Sequence, residues 1–172
     1  QLQPPDLNKE KIREMHSFQR TVRLETERGF IKKNWPPLSK FFACGREINP
    51  SCISPRLELI EGGSWQSDLF RLAALTWSIP VSQGYGRRMR FLVWDNYNDK
   101  LIGLMALGDP VFNLKARDEW IGWTLEQKKS LLVNVMDAYV LGALPPYNML
   151  LGGKLIASLV RTREVQEYFT IR

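Results

Sequence analysis

The sequence predicts an α/β (α+β) domain, with a mixed, mostly antiparallel sheet flanked by helices and preceded by an N-terminal helical arm. Three patterns carry that expectation. Arg88 to Trp94 and Leu101 to Leu107 are β-rich runs separated by the turn-forming cluster Asp95-Asn96-Tyr97-Asn98-Asp99-Lys100, which makes an antiparallel hairpin. Ala138 to Leu144 is an apolar run short enough for a buried strand, and Pro145-Pro146 stops it. Apolar residues at helical spacing bracket these strands, with Leu69, Phe70, Leu72, Ala73 and Trp77 before them and Leu155, Ile156, Leu159 and Val160 after.

Taken in order, the chain begins with a helix that Asp6 or Asn8 caps and that repeats Ile12, Met15, Phe18 and Val22 every three to four residues until Gly29. Its apolar stripe is expected to dock and its charged faces to be solvated, with nucleic-acid contact by Lys9, Lys11, Arg13, Arg20, Arg23 and Arg28 as the alternative. Residues 34–55 hold five breakers, Pro36, Pro37, Gly45, Pro50 and Pro55, and read as a loop-rich connector. The boundary is therefore set at residue 50, with a basic helical arm over 1–50 and the α/β core over 51–172. A short strand at Leu57 to Ile60 leads to a helix that starts at Ser64 or Ser67 and ends at Pro80. Lys115 to Trp123 reads as irregular. Thr124 and Gln127 then stand in capping-box spacing ahead of the next helix, and Val165 to Phe169 continues helically near the end.

Composition narrows the chemistry. The chain has 172 residues, 44% of them hydrophobic, which suffices for one packed core and excludes global disorder. It carries 24 Lys+Arg against 18 Asp+Glu, a net charge of +6 that permits a polyanionic partner without requiring one. Residues 1–40 hold nine of those basic residues and five of the acidic ones, so most of the excess lies in the arm. With His16 as the one histidine and Cys44 and Cys52 as the two cysteines, no metal site is expected. Cysteine- and serine-protease chemistry is a poor fit for the same reason. No apolar run approaches the ~20 residues needed to cross a bilayer, so the expected setting is the cytoplasm, away from membranes.

Four groups of residues could carry function. Leu144 to Lys154 leads from a strand through Gly152-Gly153 into a helix, and such a turn offers backbone N–H groups and Lys154 to an anion. Its spacing is not that of a Walker A loop, and glycines that permit close packing are an equal alternative. Gln83 to Arg90 places Arg87, Arg88 and Arg90 beside Tyr85, suited to phosphate contacts with stacking on a base; a charged, guarded edge strand is the competing reading. On a strand, Arg88 and Arg90 share a face and Arg87 points the other way. Asp109 and Asp118 beside Trp120 and Trp123 could act as acid or base if desolvated, although an Arg117-Asp118 clasp is the preferred reading. Asp137, entering a buried strand, would need a partner.

Gly84-Tyr85-Gly86-Arg87-Arg88-Met89-Arg90-Phe91, Gly108-Asp109-Pro110-Val111-Phe112, Arg117-Asp118-Glu119-Trp120-Ile121-Gly122-Trp123 and Asp137 to Asn148 with Gly152-Gly153-Lys154-Leu155 together resemble the DruA-type family of prokaryotic proteins. The match covers about residues 50–172. The resemblance implies a part in Druantia anti-phage defence, alongside a helicase-like protein and other subunits. It also implies a longer polypeptide than the one shown. The element order further resembles the central part of a GNAT-type acyltransferase, in which Asn148, Gly152, Gly153 and Lys154 would hold an acyl-CoA-type cofactor; the usual glycine signature of that loop is absent.

The leading expectation is therefore nucleic-acid or phosphate binding by Arg87, Arg88, Arg90 and Lys154, with Tyr85 or Tyr147 stacking. An acyltransferase acting on a base or amine, and a non-catalytic scaffold presenting Trp120 and Trp123, are the alternatives.

Overall fold

A computed structural model describes residues 8–79, 81–150 and 152–171. Asp6, Pro80 and Leu151, used above as a cap, a helix stop and part of the glycine turn, lie outside them. The chain runs α1 (Lys9–Thr26), α2 (Arg28–Leu38), β1 (Pro55–Leu59), α3 (Trp65–Ala74), β2 (Arg88–Asp95), β3 (Lys100–Gly108), α4 (Lys115–Ile121), α5 (Leu125–Leu131), β4 (Asp137–Ala143), α6 (Gly152–Leu159) and α7 (Arg163–Ile171). The strands form one sheet in the order β1-β2-β3-β4, and every pairing among the described residues is antiparallel.

Both faces of that sheet are covered, which explains why the central strands read as nearly continuous apolar runs. On β2, Leu92 and Trp94 face α3 and pack with Leu69, Phe70, Leu104 and Val140. Met89, Phe91 and Val93 face the opposite way, toward Ile102, Met105, Ile156 and Val165. Each fully buried side chain of this size contributes roughly 1.5–3 kcal/mol. Two register shifts interrupt the ladder, one at Val93/Trp94 and one at Ala106/Leu107. At the second, Val140 pairs with Ala106 and Ala138 with Leu107, leaving Tyr139 as an extra residue in β4.

Three expectations are corrected. The stripe Ile12, Met15, Phe18 and Val22 of α1 does not dock: all four are exposed, Phe18 at 71%, and α1 has no buried residue. Asn8 does cap the helix, its side chain accepting from Lys11 N at 2.9 Å, but only Leu24 near the far end reaches the core. Gly29 does not stop helix formation. The break falls at Glu27, and α2 continues through Pro36-Pro37 to Leu38. Burial of Leu38, with Phe30, Ile31, Phe41 and Phe42 packed on the same cluster, places residues 30–42 against the core. Third, Lys115–Ile121 is a helix that closes on Gly122 at φ 77°, a left-handed C-cap. That glycine was the readable sign. The Thr124–Gln127 capping box forms as expected.

Candidate nucleic-acid interface

The Gly84–Arg90 segment enters β2 through a loop held by Asp109. Gly84 and Gly86 sit at φ 72° and 58°, a region that side chains resist. A Cβ on Gly86 would collide with the Asp109 carboxylate, so the two must approach closely. Asp109 Oδ2 accepts from Arg87 N at 2.8 Å, its Oδ1 accepts from Arg87 Nε at 2.8 Å, and Asp109 N donates to Tyr85 O at 3.0 Å. Burial pushes the Asp109 carboxyl upward, but the Arg87 bonds outweigh it and hold the group below the usual range. Both oxygens being engaged, Asp109 is a frame for the loop rather than an acid or base. Arg87 also donates to Val133 O and lies 5.5 Å from the Phe169 ring centroid, so its guanidinium is engaged by protein partners although the side chain is 38% exposed.

Arg88 and Arg90 are different. As the strand alternation predicts, they lie on the α3 side, opposite Arg87. Arg88 is exposed and has one long hydrogen bond, to Gln83 O at 3.3 Å. Arg90 is half-buried over Phe70 and reaches Ser67 Oγ at 3.4 Å. Among the described residues neither meets a carboxylate. Tyr85, 70% exposed, projects from the loop beside them. Such an array can bind a phosphodiester and offer a ring to an adjacent base.

Tyr139, which the sequence reading passed over, adjoins this group. It is half-buried; a Cβ on Gly84 would meet its ring at 2.6 Å and one on Gly108 would meet it at 3.1 Å. Its hydroxyl is buried without a hydrogen-bond partner, and that burial raises its pKa against the lowering effect of Arg90 and Arg88. Strict alternation along β4 would have paired Ala138 and Val140 on one side with Tyr139 on the other. The bulge instead sends Tyr139 to the face of Val140 and Trp77.

The remaining expected residues lie elsewhere. Tyr147 is 1% exposed and cannot stack on a base. Its hydroxyl donates to Asp95 Oδ2 at 2.8 Å and accepts from Asn98 Nδ2 at 3.0 Å, and its pKa is raised, first by burial. Gly152 packs against Ala143, at the β4 end away from Asp137, so the first turn of α6 with Lys154 starts roughly 20 Å along the strands from Arg88 and roughly 10 Å from Arg90, on the opposite face from both. The turn and the arginines do not form one site. Asp137 is exposed at the start of the edge strand and needs no buried partner. Asp118 accepts from Arg117 Nη2 at 2.7 Å and Lys128 Nζ at 2.9 Å. Lys128 foremost, then Arg117, holds its pKa down against burial, and the preferred clasp is what forms.

The residues assigned to an acyl-CoA-type cofactor divide in the same way. A Cβ on Gly152 would meet Ala143 and, at 2.6 Å, Tyr147 O, so that glycine serves close packing. Asn148, Gly153 and Lys154 are exposed, and Gly153 has open space around it. The four do not line a cradle. No group of three or more metal-ligating side chains occurs among the described residues, and no helix among them is long and apolar enough to cross a membrane.

A four-stranded antiparallel sheet with an arginine-bearing end and an α4–α5 excursion defines the domain, and comparison with protein families assigns it. Residues 6–172 match DruA, described as Druantia protein DruA, and the chain belongs to that family. A curated relative, Druantia protein DruA from Escherichia coli (strain UMEA 4076-1), is 60% identical over 168 residues. The alignment takes in 98% of this chain and 42% of the relative, so the chain spans about two fifths of that protein's length. No solved structure matches it.

Proposed function

We propose that this chain is part of a cytoplasmic component of a prokaryotic anti-phage defence system, and that it engages nucleic acid through Arg88, Arg90 and Tyr85. Family membership supports the defence role. The observation that carries the contact is the pair of guanidiniums that meet no carboxylate among the described residues, beside an exposed tyrosine on a loop that Asp109 and two positive-φ glycines hold in place. A prearranged loop loses little conformational entropy on binding. The test is a salt titration of oligonucleotide binding: log affinity falls linearly with log salt, and removing both arginines reduces the slope by about 1.4 for a single strand. Affinity that ignores salt, or that survives Arg88→Ala with Arg90→Ala, sinks the proposal.

A second reading, recruitment of another subunit such as a helicase-like protein of the same system, draws on a separate surface. Trp120 is 90% exposed, with Ile121, Leu125, Val111 and Phe112 exposed in the same excursion. Co-purification of the system's subunits that persists after Trp120→Ser with Leu125→Ser argues against it. The GNAT-like acyltransferase stays as a weaker alternative, favoured by an exposed Gly153 beside Lys154 in the first turn of α6 and opposed by the tight packing of Gly152. Thermal stabilisation by acyl-CoA is its test, since ligand at a hundred times its Kd adds about 2.7 kcal/mol.

A further inference from the structure

We infer that the groove between residues 76–79 with 81–82 and the outer edge of β4 receives one unpaired base of a single strand whose neighbouring phosphate lies on Arg88 and Arg90. The inference rests on the nucleic-acid reading above and specifies the state of the nucleic acid. The groove has a volume of about 610 Å³, within the roughly 300–1,000 Å³ of small-molecule sites. Trp77, Val81 and Leu141 give it apolar walls, while Ser78 and Asn148 add polar groups at its margins. That mixture suits a flat, heteroatom-rimmed ring better than a hydrocarbon.

Tyr139 joins the groove to the arginines. It lines the groove and lies on the face of Arg88 and Arg90, between the levels of Asp137 and Val140 that pair through β3 with those two arginines. The bulge puts it on this face, and the bare backbones of Gly84 and Gly108 leave its ring no room to turn away. Its hydroxyl is buried without a partner, an arrangement that costs stability unless something supplies one. A base edge or sugar oxygen entering the groove does so by displacing the atoms that cover the hydroxyl, and the positive charge at this end matches the phosphate attached to it. A base within a duplex keeps its hydrogen-bonding edge paired and its faces stacked, so only an unpaired or extruded base enters such a groove.

Fluorescence anisotropy with three labelled probes of about twelve nucleotides, a single strand, its duplex and an abasic strand with the same phosphates, tests this. The chain is expected to bind the single strand about tenfold more tightly than the other two, as stacking and a base contact require. Tyr139→Phe, which removes one unpartnered buried oxygen and keeps the ring, should narrow that preference several-fold while the melting temperature of the free chain holds or rises. Leu141→Gln provides a second alteration of the groove should the first variant melt early. Arg88→Ala with Arg90→Ala should weaken all three probes alike. Equal affinity for the three probes, or a preference that survives both groove variants, overturns the base pocket and leaves the phosphate contact standing. If none of the probes binds, both fall, and the groove is left to a polypeptide strand paired on the β4 edge.

Discussion

Removing the Tyr147 hydroxyl separates a buried structural residue from a base-stacking one. In Tyr147→Phe the ring still fills its place, but Asp95 Oδ2 loses a donor at 2.8 Å and Asn98 Nδ2 loses an acceptor at 3.0 Å. Asp95 is wholly buried and keeps only Ser54 N at 3.0 Å and Tyr97 N at 3.1 Å, both on Oδ1, so Oδ2 is left bare. A hydrogen bond to a charged group contributes about 1.5–3 kcal/mol, and an unsatisfied buried partner costs a similar amount. The expected loss is therefore about 2–3 kcal/mol. For a domain of this size that lowers Tm by roughly 5–10 °C. Urea unfolding is the assay, with a reduced midpoint at unchanged m, and oligonucleotide affinity should equal that of the unaltered chain. Stability within about 0.5 kcal/mol of the original, or lost affinity with stability intact, refutes the structural assignment.

Three further outcomes follow from the same geometry. Gly152→Ala forces a Cβ against Ala143 and Tyr147 O and should cost about 1–3 kcal/mol, whereas Gly153→Ala meets nothing and should be neutral or add about 0.4–1 kcal/mol; paired urea titrations decide. Arg87→Ala should lower stability by about 1 kcal/mol and leave the salt slope of binding unchanged, because its guanidinium is already bound to Asp109; Arg88→Ala should leave stability unchanged and reduce the slope by about 0.7. Acid should loosen the α4–α5 excursion. The pKa of Asp118 is lowered in the folded chain, so its contribution is complete above the unfolded value near ~3.9 and disappears as pH falls through the folded one. Protection factors at α5, taken relative to the intrinsic exchange rate at each pH, should fall below about pH 4 and stay constant above it.

The elements legible in the sequence were those whose signal is local. The 88–107 hairpin, the Thr124 capping box and the start of α3, at Ser64 of the two serines expected, each rest on a few adjacent residues, and each forms. What escaped was decided across the chain. Tyr139 obeys a bulge set by its pairing with β3, which no periodicity in β4 encodes. Asp95 looks like an ordinary turn residue, yet it anchors Tyr147, 52 positions away. Helix α2 runs through Pro36-Pro37 because Leu38, Phe41 and Phe42 pack on the core, and that packing overrides the local penalty. Spacing did divide the three arginines between two faces. It gave no hint that Asp109 would take one of them out of play.

The α4–α5 excursion inverts the usual arrangement of a small helical unit. Arg117, Asp118 and Lys128 occupy its interior, with Arg117 donating to Val111 O and Phe112 O and Lys128 lying 4.5 Å from the Phe112 ring centroid. Trp120, Ile121, Leu125 and Val133 are left on its outside. Buried ion pairs give little net stability, because desolvation offsets most of their attraction. They do fix geometry, since removing one member leaves the others unpaired. A segment assembled in this way holds a definite shape without using its apolar side chains, and those remain free for burial elsewhere. Covering Trp120 and its neighbours would supply the hydrophobic contribution that the excursion lacks by itself. Trp120→Ser should therefore leave the isolated chain's unfolding midpoint unchanged and weaken only its association with other subunits; a fall in the midpoint would place that tryptophan within the fold's own stability.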